Sequence, residues 1–338
     1  MNTKSHILVT GGAGMIGSNL VKRLVTLGHR VSVIDNLWRG KLEYLYENGK
    51  PVIDIEHDFH NIDLSVSGAA DDLLAQGDID YIYHLADIVA GIGYVFTNQG
   101  ELFRQNLLIN SNMLHSVRRY PVKGYVYVGT ACSFPDHLQT GINVAPLKEE
   151  DQYPASPESA YGWSKLMGEY EAQLMEHETE IPVGIIIFHN VYGSPCDYSE
   201  QRSQVIPALI RKAIEYPGKS FEVWGSGSQG RAFLHINDAV DALESAIPNA
   251  FGHGPIQIGP GTCDSIRSIA ERVVEISNKS IDIKYDLTKP EGDGGRRADY
   301  SKANRLLGWS PKVNIEEGLK NLYGWIEDEM SEVQSSGS

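Results

Sequence analysis

The chain predicts a doubly wound parallel α/β sheet with a smaller C-terminal lobe laid over it, and three observations carry that expectation. An apolar strand runs straight into a glycine-rich turn and an amphipathic helix. Strands and helices then alternate to about residue 188. Beyond that point the composition loosens into polar and glycine-rich loops. With 338 residues, the chain suits one large domain or two closely packed ones.

Ile7–Thr10 reads as a buried strand, followed by Gly11-Gly12-Ala-Gly14-Met15-Ile16-Gly17 and a helix through Leu20, Val21, Leu24 and Leu27. Glycines there permit a tight turn and close approach of backbone to a pyrophosphate, which sits on the helix N-terminus. This is the Rossmann-type arrangement. A second strand, Arg30–Ile34, ends in Asp35, spaced as the carboxylate that grips a ribose 2′-hydroxyl and repels a 2′-phosphate, so NAD is expected over NADP. Arg39 lies close enough to matter to that choice. A helix-like Ala69–Gln76 follows the segment bearing Asp58 and Asp63, and Ile79–Leu85 supplies another strand. Leu102–Arg119 reads as a long helix, and Gly124–Val128 as a strand delivering Gly129, Thr130, Ala131 and Cys132 at the edge where such sheets bind ligands.

Ser156 and Pro157 look like the N-cap and first position of a helix carrying Tyr161 and Lys165 one turn apart. Residues at i and i+4 share a face, so phenol and ammonium can occupy one site. At ~4 Å and an effective dielectric of ~20 the ammonium favours the phenolate by about 4 kcal/mol, enough for Tyr161 to act as a base toward a sugar hydroxyl. Val183–Phe188 is a further buried strand. The expected division places a dinucleotide domain at 1–188, with 233–259 returning to it. A substrate lobe takes 189–232 and 260–330, and a disordered tail 331–338.

A net charge of −15 argues against nucleic acid or an anionic membrane as partner, since both reward lysine and arginine. No apolar stretch approaches bilayer length, and a cytoplasmic location is expected. Cys132, Cys196 and Cys263 are widely spaced and odd in number, which suggests thiols rather than disulfides or a metal site.

With the glycine turn, Asp35, Thr130, Tyr161 and Lys165 in place, the chain resembles the extended short-chain dehydrogenase/reductase superfamily of nucleotide-sugar epimerases and dehydratases. Thr130–Pro135, Phe188–Gly193, Phe221–Arg231, Pro290–Arg296 and Leu307–Pro311 make it most similar to the GDP-mannose 3,5-epimerase group. The resemblance implies NAD held against Gly11, Gly14, Met15, Ile16 and Gly17, and against Asp35, Asn36, Arg39, Asp63, Leu85, Tyr161 and Lys165. It implies a nucleotide diphosphate sugar, GDP-hexose favoured, held by Gly91, Asn190, Arg202, Arg231 and Arg296, and a homodimer. Thr130, Tyr161 and Lys165 would oxidise C4 transiently, making the neighbouring C–H groups acidic. The carboxylates that dehydratases and decarboxylases carry after the threonine are replaced by Ala131 and Cys132, so Cys132 becomes the candidate for exchanging a ring proton. Ser199 stands where the epimerase group carries a lysine proton donor. Inversion at two carbons, at one, a plain C4 dehydrogenase or 4-epimerase, and a non-catalytic sensor of NAD or nucleotide sugar all stay open.

Overall fold

The computed structural model describes residues 4–336, with side chains to residue 332. Its centre is a seven-stranded sheet. In chain order the strands are β1 (His6–Thr10), β2 (Arg30–Asp35), β3 (Phe59–Asn61), β4 (Tyr81–His84), β5 (Gly124–Thr130), β6 (Val183–Phe188) and β7 (Pro255–Ile258). Every pairing is parallel, in the order β7-β6-β5-β4-β1-β2-β3.

β1 and β6 carry unbroken apolar runs, Ile7–Val9 and Ile185–Phe188, because helices cover both faces of the sheet. Ile7 and Val9 point to one face, where they meet Leu20, Val21 and Leu24 of α1 (Met15–Thr26) and Val240 and Leu243 of a later helix. Leu8 points to the other, with Met113 and Leu114 of α2 (Gln99–Arg119) and Ala172 and Met175 of α3 (Ala160–Glu178). The later helix is α4 (Ile236–Asn249); it starts three residues before the expected Ala239, where His235 Nδ1 accepts the Asn237 amide at 3.2 Å. The strand order reverses between β1 and β4, and a crevice opens at their carboxyl ends.

A second apolar cluster, including Leu209, Phe221, Ile269 and Leu322, lies outside the sheet. There Phe221–Trp224 pairs in parallel with Ile283–Asp286. A parallel pair of Phe233–His235 with Asn190–Tyr192 runs alongside. The expected domain boundaries fail at two places. Residues 301–309 were assigned to the outer lobe, yet Ala303, Leu307 and Trp309 pack into the sheet core, and the Trp309 indole N–H donates to the Asp238 carbonyl at 2.8 Å. Residues from 331 are expected to be disordered, but α5 (Ile315–Ser336) takes in 331–336, since each added residue needs only one more hydrogen bond and no glycine or proline falls between 325 and 336. Residues 337 and 338 lie outside the described part. The helix expected over 69–76 shrinks to Asp71–Leu74.

Candidate active site

A cavity of about 930 Å³ occupies the crevice and is lined from both sides. Its floor is the turn after β1. Gly11 has φ +68°, and a Cβ on Gly17 would stand 2.2 Å from the Gly11 carbonyl oxygen, so only glycine lets α1 start this close to the strand. Gly14 caps α1 without a side chain. The first amides, at Met15 and Ile16 on the cavity wall, are therefore left for an anion. Asp35 lies at the end of β2, where Oδ2 accepts from Ala13 N at 3.0 Å and Oδ1 from Leu37 N at 2.8 Å. Burial raises its carboxyl, opposed by those two amides. Each oxygen keeps a lone pair for a ribose hydroxyl. The cradle fits a dinucleotide: bare amides for the pyrophosphate and a carboxylate one strand away. Asn36, Asp63 and Leu85 line the same wall. Arg39 lines the cavity as well, its guanidinium donating to the Val89 carbonyl at 3.0 Å and standing 3.8 Å from Asp197.

Tyr161 and Lys165 do share one face of α3, but the helix begins at Ala160 and its N-cap is Ser159, whose hydroxyl accepts the Gly162 amide at 3.3 Å. The expected cap, Ser156, instead reaches Asp136 at 3.2 Å. A carboxylate that sequence reasoning missed stands between the two catalytic candidates. The Tyr161 hydroxyl donates to Asp87 Oδ2 at 3.1 Å, and the Lys165 ammonium lies 3.3 Å from the same oxygen. Burial, then the charges of Asp87 and Cys132, push the Tyr161 phenol well above its ordinary range. The expected depression is thereby reversed. Asp87 follows β4 by three residues within Leu85-Ala-Asp-Ile-Val-Ala90, and a lone carboxylate in an apolar run at the ligand edge was the available signal.

β5 delivers Thr130, whose hydroxyl accepts the Cys132 amide at 3.2 Å and so starts the single turn Ala131–Ser133. That turn abuts α3: a Cβ on Gly162 would stand 2.1 Å from the Cys132 carbonyl oxygen. Arg296, only 3% exposed, donates from Nη2 to Cys132 Sγ at 3.4 Å. Its Nη1 reaches Gln139 Oε1 at 2.8 Å and Asp293 Oδ2 at 3.1 Å. Burial opposes the Arg296 charge, but Cys132, Asp293 and Glu158 outweigh it and hold the guanidinium above its ordinary value. Arg231 is buried too, with Nη1 donating at 2.7 Å to the carbonyls of Gly230 and Asp293. Burial and the neighbouring Arg296 bring it down to about 10. Glu158 completes the group, its Oε2 accepting the Asp293 amide at 3.1 Å. Glu158 and Asp293 were not anticipated. They precede a helix and sit in a glycine-rich strap, where chain reversal rather than pattern brings them together.

Gly91 and Asn190 line the cavity with Arg231 and Arg296. Arg202 does not; its guanidinium lies over the Trp38 ring at 5.4 Å, 3.5 Å from Asp197, because the indole and the carboxylate draw it out of the wall. In the loop where Ser199 replaces the expected lysine, Cys196 is 3% exposed and its thiol is pushed up to about 12 by burial. Tyr198 packs edge-on against Trp325 at 6.1 Å. Of the candidates at 196–199 only Asp197 reaches the wall, between Arg39 and Arg202. His189 is structural, bonded through Nε2 to Gln257 Oε1 at 2.7 Å. Among the described residues no helix is long and apolar enough to cross a membrane, and no cluster of metal-ligating side chains occurs.

The profile of the NAD dependent epimerase/dehydratase family matches residues 7–259. A protein named GDP-mannose 3,5-epimerase 1 from Oryza sativa subsp. indica is 32% identical over 337 residues, spanning 99% of this chain and 85% of that one. GDP-mannose 3,5-epimerase of Arabidopsis thaliana is 31% identical over 332 residues, spanning 98% and 85%. Among solved structures, UDP-glucose 4-epimerase from Thermotoga maritima, determined with UDP-glucose, superposes with a TM-score of 0.84 at 25% identity, covering 96% of this chain and 99% of that one.

Proposed function

The chain belongs to the NAD dependent epimerase/dehydratase family, and from that premise we propose that it is a GDP-hexose epimerase that inverts a carbon beside C4. As an enzyme of this family it uses NAD, which when bound accepts a hydride from the sugar and returns it. The residues that would hold it are the Met15 and Ile16 amides, at the pyrophosphate, and Asp35 at the ribose.

The observation that carries the reading is the placing of Cys132 on the same wall as Thr130, Tyr161 and Lys165, with Arg296 at 3.4 Å from its sulfur. Ionised first to the phenolate, Tyr161 takes the proton of the C4 hydroxyl, and Thr130 holds that oxygen. Lys165 orients the phenol. A 4-ketone makes the adjacent C–H groups acidic because the resulting carbanion spreads onto oxygen as an enolate, and Cys132 is the group poised to remove such a proton. Asn190 and Arg231 would meet the diphosphate, a guanidinium being suited to bidentate contact even in an acidic protein. The guanine base is supported by the relatives' names alone. A homodimer is supported by Trp163 and Tyr170, 37% and 50% exposed on one face of α3 two turns apart. The cytoplasm is supported by three free thiols.

Incubation with GDP-mannose in deuterated water tests the reading. Deuterium should enter at C3 or C5, and Cys132→Ala should lose that exchange by ~10²–10⁴-fold while the cofactor is still reduced. Inversion at C4 without deuterium uptake would make the protein a 4-epimerase, and a stable ketone with net NADH a dehydrogenase. A second reading, confined to C4, draws on one specific observation: the 196–199 loop offers the cavity no free proton donor.

A further inference from the structure

Inverting a carbon requires two groups, because the proton must leave one face of the enolate and return to the other. Cys132 supplies one. The loop after Asn190 does not supply the second: the Cys196 thiol is sealed from the cavity, Tyr198 is packed on Trp325, and Asp197 lies between two guanidinium groups. On the cavity wall around Cys132 and Arg296, Asp87 is held by Lys165 and Glu291 accepts the Ser226 amide through Oε1 at 2.5 Å, which leaves Asp293 and Glu158.

These two differ in what holds them. Asp293 is 9% exposed and paired with Arg296 at 3.1 Å, so a guanidinium sits directly on its carboxylate oxygens. Glu158 has no such cation on its oxygens. Its Oε2 accepts the Asp293 amide at 3.1 Å, which brings the two carboxyls close enough for their charges to act on each other. Two neighbouring carboxylates repel, and the repulsion raises proton affinity at the one that has no cation on its oxygens. Arg296 stands on Asp293, so Glu158 is the member of the pair whose proton affinity rises. Burial, together with the Asp293 charge, raises the Glu158 carboxyl, with the more distant Arg231 opposing. The side chain is open to the cavity, so water can recharge it after each turnover.

We propose that Glu158 is the second proton-exchanging residue of this site, returning a proton to the carbon from which Cys132 takes one. This rests on the reading of the chain as an epimerase acting beside a C4 ketone. The Cys132 thiolate forms an S–H bond as the C–H electron pair moves into the enolate. Glu158 then gives its O–H proton to that carbon on the opposite face, closing a new C–H bond while the enolate reverts to the ketone. The thiol loses its proton to water and the Glu158 carboxylate regains one. No electrons and no net protons are consumed.

The experiment compares wild type, Cys132→Ala, Glu158→Gln and Glu158→Asp with GDP-mannose in deuterated water. It follows inverted product, deuterium in recovered starting sugar, and cofactor reduction by absorbance. Glu158→Gln should lose inverted product by ~10²-fold or more, the usual effect of removing a general acid. It should still reduce its cofactor and still wash deuterium into the starting sugar, because Cys132 returns a solvent deuteron to the face it deprotonated. Glu158→Asp should recover part of the inversion. Near-wild-type inversion by Glu158→Gln overturns the proposal, as does loss of wash-in and cofactor reduction together with inversion, which marks a structural role. If wild type itself takes up no deuterium beside C4, the epimerase reading fails instead.

Discussion

Asp87 changes how the Tyr161–Lys165 pair works. The spacing of the pair on one helix face was legible from the sequence, but its electrostatics were not, because the third charge comes from a strand end 74 residues away. Burial raises the Tyr161 phenol first and the Asp87 anion adds to it, with Cys132 and Tyr127 acting in the same sense. Lys165 is the cation facing the group, and it is shared with Asp87 at 3.3 Å. Asp87→Asn removes the anion from Tyr161 and frees the ammonium, so the phenolate forms at lower pH. The pH dependence of cofactor reduction in single turnovers should accordingly move its rising limb to lower pH; an unmoved or raised limb contradicts this account. Arg202 shows the same limit from the other side. The resemblance implied a substrate contact for it, yet Trp38 and Asp197 hold it outside the cavity.

At the level of elements, strands buried on both faces announced themselves as continuous apolar runs, as in β1 and β6. β3 did not. It is a three-residue strand with a polar middle, placed by its pairing of Phe59 with Val33, a partner the local pattern does not reveal. Helix starts were legible only to within a turn, and α3 shows why this matters. Its cap is Ser159, so the first turn, with Tyr161 in it, begins three residues later than the Ser156-Pro157 signal suggests. Ser159→Ala should cost about 1 kcal/mol, the usual value of a lost N-cap, measurable as a lowered denaturation midpoint at unchanged slope. Gly162→Ala addresses the contact between α3 and the Cys132 turn. A methyl 2.1 Å from the Cys132 carbonyl and 2.9 Å from Pro157 Cβ must push the turn away. The expected outcome is a stability loss of ~1–3 kcal/mol and a larger fractional loss of deuterium exchange than of cofactor reduction, because the displaced turn carries the thiol. Equal losses in both would assign the effect to Tyr161 instead.

On the scale of the whole molecule, buried titratable groups limit stability on both sides of neutrality. His84 is bonded to Thr10 and Asn110 inside the sheet, and burial, then the Lys165 charge, brings it down to about 3; His189 is brought down to about 4, mainly by burial. Both must charge in the unfolded chain, so stability present above the unfolded histidine value of 6.5 is lost as pH falls toward those folded values. Glu169 runs the opposite way. Burial raises it from 4.5 to about 7 despite a 3.0 Å bond from Gln152. Its contribution is complete below 4.5 and disappears as pH rises through about 7, a change on the order of 3 kcal/mol. Glu169→Gln should therefore stabilise the protein at pH ~8 relative to wild type and flatten the slope above pH ~5, as read from denaturation midpoints across pH. The broad plan, a dinucleotide sheet first and a looser lobe after it, was legible because it follows chain order. The return of residues 301–309 to the sheet was not, since only the three-dimensional packing of Trp309 against α4 draws them back. The same non-locality sets a timetable for synthesis. Cys132 and Arg296 are 164 residues apart, so at ~5–20 residues per second the ribosome exposes the thiol about 10–30 s before its guanidinium partner emerges. Throughout that interval the nascent chain already carries the complete glycine turn and Asp35, so it can assemble its cofactor cradle while Cys132 still lacks its arginine.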